Sequence, residues 1–284
     1  MSEVDSNAAQ AVGRPVQVLP HFHGVNGRRL FGLTWQPDGP AKGTVLYLPP
    51  MAEEMNRCRT HVADTARALA AAGWRCLLLD PYATGESEGD SDEADWDTWV
   101  ADTVELTRQL SAAHGPIALW GVRTGALLAA EAARHARQQV CRLLFWQPVL
   151  DGALFLNQTL RLRIASQMVH EGAKETTDSL RRQLADGETL EVAGYPLPGR
   201  LAMALNERKM AALCQDTTLP VSWLEVVSAA GGAPSPASRK AIDAWPSTVQ
   251  LQTVVCPMVW QVYDREHAPD LVSGTLALLD RSAP

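Results

Sequence analysis

The segment Gly121-Val122-Arg123-Thr124-Gly125 is the one most suited to chemistry. Its two glycines lie between an apolar run at 117–121 and the helical pattern at 124–136. That is the context of a nucleophile elbow, a sharp strand-to-helix turn that lifts its central side chain above the end of a sheet. The central residue is ordinarily serine, but here it is Arg123. A guanidinium stays protonated at physiological pH and has no available lone pair, so it cannot attack a carbonyl. Thr124 has a hydroxyl one residue past the apex, where it should point away along the helix. Its backbone N–H is the more useful group, since such a donor, with a second from a facing loop, can hold an oxyanion. Met51 or Ala52 is the expected second donor.

A serine at an elbow would also need a histidine and an acid. His267, within YDREHAPDL after the last apolar run, occupies the expected loop, although exposed loop histidines without a role are common. No carboxylate occurs in 228–238, where the acid is expected. Asp151 could substitute, with a capping or turn role as the plainer reading. Cys58 and His61 are three apart on an expected helix and form a second thinkable pair, though nothing in the sequence points to a lowered thiol pKa. A charge at the floor of a pocket needs a partner, and Glu53 and Glu54, in a loop expected to face the elbow, are the best candidates.

The elements that must position these residues alternate. Residues 16–36 hold two β-like stretches about the turn Val25-Asn26-Gly27. Strands are expected near 43–50, 74–80, 117–121, 140–148, 220–227 and 251–260, and helices over 58–72, 92–114 and 124–136. Such alternation predicts one mostly parallel sheet flanked by helices. Between 151 and 216 the pattern becomes amphipathic and helical, with no strand-like run, and reads as an inserted lid. Residues 1–15 read as a flexible N-terminus, and 16–284 as a single domain.

Composition narrows the classes. The chain has 284 residues, 46% of them hydrophobic, enough for a substantial core. Its 25 basic and 32 acidic residues give a net charge of −7, which is no footprint for nucleic acid. No apolar run is long enough to span a bilayer, and the polar N-terminus is no secretory signal. Five cysteines, dispersed and without CxxC spacing, read as small hydrophobes rather than as zinc ligands or disulfides. A cytoplasmic protein with no cofactor or metal is expected.

The segments PPMAEEMN (49–56), WGVRTGALLA (120–129), LFWQPVLDG (144–152), ETLEVAGYPL (188–197) and SWLEVV (222–227) resemble the exosortase A system-associated hydrolase 2 family. The likeness runs from about residue 19 to 279. It implies an α/β-hydrolase fold, arginine at the elbow as a shared trait, and an accessory role beside bacterial exosortase proteins and exopolysaccharide production. The name hydrolase follows from the fold, and a fold does not establish an activity. Two functions therefore stay open: a protein that binds an acyl, carboxylate or phosphate ligand in the elbow pocket, or an active hydrolase or acyltransferase with displaced catalytic residues.

Overall fold

The computed structural model describes residues 16–167, 175–262 and 267–280. Its strands are β1 (Gln17–Val25), β2 (Arg28–Gln36), β3 (Thr44–Leu48), β4 (Arg75–Leu79), β5 (Ile117–Val122), β6 (Val140–Trp146), β7 (Thr189–Val192), β8 (Tyr195–Pro198), β9 (Val221–Val226) and β10 (Val249–Val254). Its helices are α1 (Ala52–Ala71), α2 (Trp96–His114), α3 (Gly125–His135), α4 (Gly152–Gln167), α5 (Thr177–Ala185), α6 (Gly199–Asn206), α7 (Met210–Cys214), α8 (Pro236–Asp243) and α9 (Pro269–Asp280).

One eight-stranded sheet has the order β1-β2-β4-β3-β5-β6-β9-β10. The hairpin β1–β2 joins it antiparallel through β2 and β4, and the remaining neighbours run parallel. Asn26 and Gly27, at φ 47° and 79°, supply the two left-handed residues that a tight two-residue hairpin turn requires.

Alternation along the strands sorts side chains into two cores, as the period of two dictates. Leu46 and Leu48 of β3, with Ile117 and Leu119 of β5, face α2 and α3. Val45 and Tyr47, with Ala118, Trp120 and Val122, face α1 and α9. There Trp120 lies edge-on between Tyr47 and Trp146, at centroid distances of 4.9 and 4.7 Å. Trp146 Nε1 donates to Thr275 Oγ1 at 2.9 Å, which fixes α9 to the sheet. No helix among the described residues is long and apolar enough to cross a membrane.

Two expectations need correction. Residues 52–57 are no loop: α1 begins at Ala52, with Met51 as the residue between it and the two prolines. Alanine, glutamate and methionine all favour helix, and Glu53 and Glu54 in the first turn complement the helix dipole. The stretch 151–216 is not wholly helical either. The hairpin β7–β8 pairs Leu190 with Leu197 and Val192 with Tyr195 about a turn at Ala193-Gly194, both at positive φ. Four-residue strands are too short for a clear period-two signal. Because β6 and β9 are neighbours, the chain leaves and re-enters the sheet at one place. Of the segment between them, α4 and the hairpin lie beside Arg123 at the C-terminal end of β5, where open α/β sheets hold ligands.

The elbow depends on one close backbone approach. A Cβ on Gly125 would lie 2.1 Å from the carbonyl oxygen of Leu48 and 2.6 Å from that of Pro49. Main-chain atoms cannot swing aside, so Gly125→Ala should destabilise the protein by about 1–3 kcal/mol. Gly24→Ala, in β1 where a new methyl meets nothing within 4 Å, should stay within about 0.5 kcal/mol of wild type. Urea unfolding of the two variants measures the contrast, and equal stabilities would refute the packing argument.

Candidate functional site

Arg123 follows β5 in the left-handed region, at φ 54°. Its N–H donates to Trp146 O at 3.0 Å, and its carbonyl accepts from Ala126 and Val149, each at 3.1 Å. These bonds hold a non-glycine residue in a conformation that costs on the order of 1 kcal/mol. Two neighbours share the strain: Ala52 at φ 52° beyond β3, and Gln147 at φ 39° after β6. Left-handed non-glycine residues at three adjacent strand ends mark a place where backbone comfort has yielded to another requirement.

That place is a cavity of about 690 Å³. Met51, Ala52, Glu53, Glu54 and Arg57 form one wall with Arg123. Phe155, Leu156 and Leu162 of α4, the hairpin residues Val192, Tyr195, Pro196 and Leu197, and Trp260 are among the residues of the other sides. The lining is mainly apolar around a charged floor.

The floor is occupied by ion pairs. Arg123 Nε lies 3.3 Å from both oxygens of Glu54, and Nη2 lies 3.2 Å from Oε1. Nη1 donates to the carbonyl of Gln147 at 3.1 Å. The guanidinium stands over the ring of Trp260, 5.1 Å from its centroid. Burial raises the Glu54 carboxyl above its ordinary value, and the Arg123 charge opposes that rise. Glu53 turns the other way and pairs with Arg57 one turn on, at 2.5 Å. Arg57 Nη1 donates to Gln261 O, and Asn56 donates to the Tyr195 hydroxyl, so α1 is tied to both the hairpin and the loop after β10.

The other expected residues divide. Met51 cannot be the second oxyanion donor: its N–H donates to Thr124 Oγ1 at 3.0 Å. That bond clamps the β3–α1 connection to the elbow and leaves the Thr124 side chain buried. Ala52, which lines the cavity, is the donor position left. Asp151 acts as a cap, accepting from Leu154 N–H at 3.1 Å at the start of α4, with Lys209 Nζ 3.8 Å away. His267 is exposed and does not line the cavity, and residues 263–266 of its loop lie outside the described residues. Cys58 is wholly buried. Burial first, then the Glu54 charge, push its thiol well above its ordinary value, against the positive charges of Arg123 and Arg57. His61 is buried, which lowers its imidazole pKa, so the Cys58–His61 pair is poorly placed to make a thiolate.

Sequence reading missed Trp260, Gln147, Tyr195 and Arg57. The Glu53–Arg57 spacing would have signalled an i,i+4 pair had the helix been started at residue 52. Gln147 contributes its main-chain carbonyl, for which side-chain type carries no signal. Glu225 also went unnoticed as a buried acid. Its two oxygens accept from Trp223 Nε1 at 3.0 Å and Ser235 N–H at 2.8 Å, which makes it a strut for the loop after β9.

Glu54 also sets a pH dependence. Its pKa is higher in the folded than in the unfolded state, so its contribution to stability is greatest below the ordinary value of 4.5 and declines as pH rises through the folded value. Arg123→Met removes the opposing charge and enlarges that decline. The variant should lose about 1–3 kcal/mol at neutral pH and less near pH 5. Adding Glu54→Gln should recover most of the loss. Thermal unfolding from pH 5 to 8 tests this, and a pH-independent loss would refute the coupling.

Residues 39–186 match the family described as serine aminopeptidase, S33. No curated protein matches the chain. Est1E from Butyrivibrio proteoclasticus, solved with ferulic acid bound, is 15% identical, with a TM-score of 0.67 over 93% of this chain and 99% of its own. Alpha/beta hydrolase domain-containing protein 10 from mouse is also 15% identical, with a TM-score of 0.59 over 93% and 99%. A thioesterase domain from the curacin biosynthetic pathway is 16% identical, with a TM-score of 0.56 over 92% and 99%. At such identities the likeness speaks for the fold alone. The sheet order, the elbow after β5 and the family match agree: the chain has the α/β-hydrolase fold and belongs to the serine aminopeptidase S33 family.

Proposed function

We propose that this chain is a non-catalytic member of its family that holds an acyl-bearing ligand in the elbow cavity instead of cleaving it. The observation that carries the reading is Arg123 at the nucleophile position, with its guanidinium engaged by Glu54, Gln147 O and the face of Trp260. Loss of the nucleophile alone costs a serine hydrolase about a millionfold, leaving about a thousandfold over water. Neither Thr124, whose hydroxyl accepts from Met51, nor Cys58, whose thiol is buried, offers a replacement.

The cavity also favours one of the three ligand classes. Glu54 balances Arg123 and Glu53 balances Arg57, so the floor has no net charge to offer a carboxylate or phosphate. An uncharged polar head, such as an ester, amide or thioester carbonyl, can still accept from the N–H groups at Thr124 and Ala52. Phe155, Leu156 and Leu162 provide apolar surface for the attached chain. In this reading 151–216 is the lid, and its hairpin sets the cavity's depth. The resemblance to the exosortase-associated family supports a cytoplasmic accessory role beside exosortase proteins, with the acyl ligand delivered or sequestered there.

Two measurements test the proposal. The purified protein should neither label with a fluorophosphonate nor hydrolyse p-nitrophenyl acyl esters, and Arg123→Ser should remain far below a working esterase because the acid and histidine are not assembled. In thermal shift, octanamide should stabilise wild type more than octanoate does, and Phe155→Asp should abolish the effect. Robust turnover, lost on replacing Cys58, His61 or His267, would establish a displaced catalytic centre instead. Preference for octanoate would establish an anion site.

A further inference from the structure

A second cavity, of about 160 Å³, lies on the opposite side of α1 from the elbow. Glu53, Glu54 and Arg57 face the elbow cavity, whereas Met55, Arg59 and Ala63 face this one. The helix is a partition, as a 100° step per residue allows. The opposite wall is one face of the sheet: Phe31, Leu33 and Trp35 at alternate positions of β2, beside Tyr47 of β3.

Two polar groups of these walls make no hydrogen bond to the described residues: the buried Trp35 Nε1 and the Tyr47 hydroxyl. Trp35 is 4% exposed and Tyr47 5%. Buried polar groups are nearly always satisfied, and an unsatisfied one next to a cavity points to a partner from outside the chain. Burial keeps this phenol protonated, so it is a donor as well as an acceptor. At the rim, Arg59 Nη2 lies 3.8 Å from Asp80 Oδ1, and Asp80 Oδ2 accepts the N–H of Glu86 at 3.1 Å. Paired charges at the mouth give a charged ligand no net attraction.

We infer that this cavity is a binding site for a small uncharged aromatic molecule with one polar substituent, of the phenol class, whose oxygen bonds to the Tyr47 hydroxyl. Size sets the limit. A cavity of about 150 Å³ lined by apolar side chains takes up benzene, so one ring with one substituent fills the space. Shape agrees, because Phe31 and Trp35 offer aromatic faces and edges to a ring between them. The site is independent of the elbow cavity and of whatever that cavity holds.

The test uses fluorine NMR of 4-fluorophenol and fluorobenzene titrated with the whole protein. Three proteins are compared: wild type, Tyr47→Phe and Ala63→Phe. Tyr47→Phe keeps the ring and removes the hydroxyl, while Ala63→Phe places a ring in the cavity from the helix side and leaves the elbow lining untouched. Wild type should bind 4-fluorophenol more tightly than fluorobenzene. Tyr47→Phe should weaken 4-fluorophenol by roughly fivefold, as loss of one neutral hydrogen bond does, and leave fluorobenzene unchanged. Ala63→Phe, with a folded state verified by its melting temperature, should abolish both. The inference is overturned if wild type binds neither probe, if Tyr47→Phe binds 4-fluorophenol as wild type does, or if Ala63→Phe still binds.

Discussion

A guanidinium at the floor of a largely apolar cavity is tolerable only while a carboxylate faces it. Much of the local architecture follows from that one requirement. Glu54 reaches Arg123 because α1 starts at Ala52, which places the glutamate in the first helical turn, across from the elbow. The turn stays tight because Gly125 lets the start of α3 press against the carbonyls of Leu48 and Pro49. Gln147, held left-handed after β6, turns its carbonyl toward Nη1. Trp260 closes the remaining side of the cation with an aromatic face. A serine in the same position would need none of these partners.

An arginine at the elbow leaves the hydrolase framework of the backbone in place. The sheet, the elbow strain and the helix N-terminus after it are features of the backbone, and they survive the loss of one side chain. What changes is the electrostatic character of the cavity floor. In a working esterase the floor must welcome a developing negative charge. Here two glutamates stand within the cavity wall, each paired with an arginine, and the four charges sum to zero. Such a floor can hold a neutral polar group, while an oxyanion would compete with Glu54 for the same cation.

Helix α1 carries much of this organisation. One face supplies the charged floor, another packs Cys58, Val62 and Ala66 on the sheet, and a third walls the smaller cavity beside Tyr47. Asn56 and Arg57 then tie its first turns to the hairpin and to the loop after β10. Apart from His61, the buried positions of this element are small or apolar, as close packing against the sheet requires.

The alternating apolar runs, the hairpin turn at Asn26-Gly27 and the spaced glycines about Arg123 were enough, read alone, to define a mostly parallel sheet with an elbow after β5. Those signals are local, and a period of two or a pair of glycines survives in any context. Charge logic carried one step further, since a buried arginine needs a carboxylate and the nearest pair of glutamates included the right one. Which glutamate, however, was a matter of rotation about α1: 100° separates Glu54, facing Arg123, from Glu53, facing Arg57. The diversion of the Met51 N–H to Thr124, the capping role of Asp151 and the approach of Trp260 to the guanidinium all join residues far apart in the chain. No local pattern encodes such contacts, because each arises only when the sheet brings the strand ends together. The short hairpin β7–β8 lay below the reach of periodicity for the same reason: four residues a side become a strand pair through packing against α4 and α5.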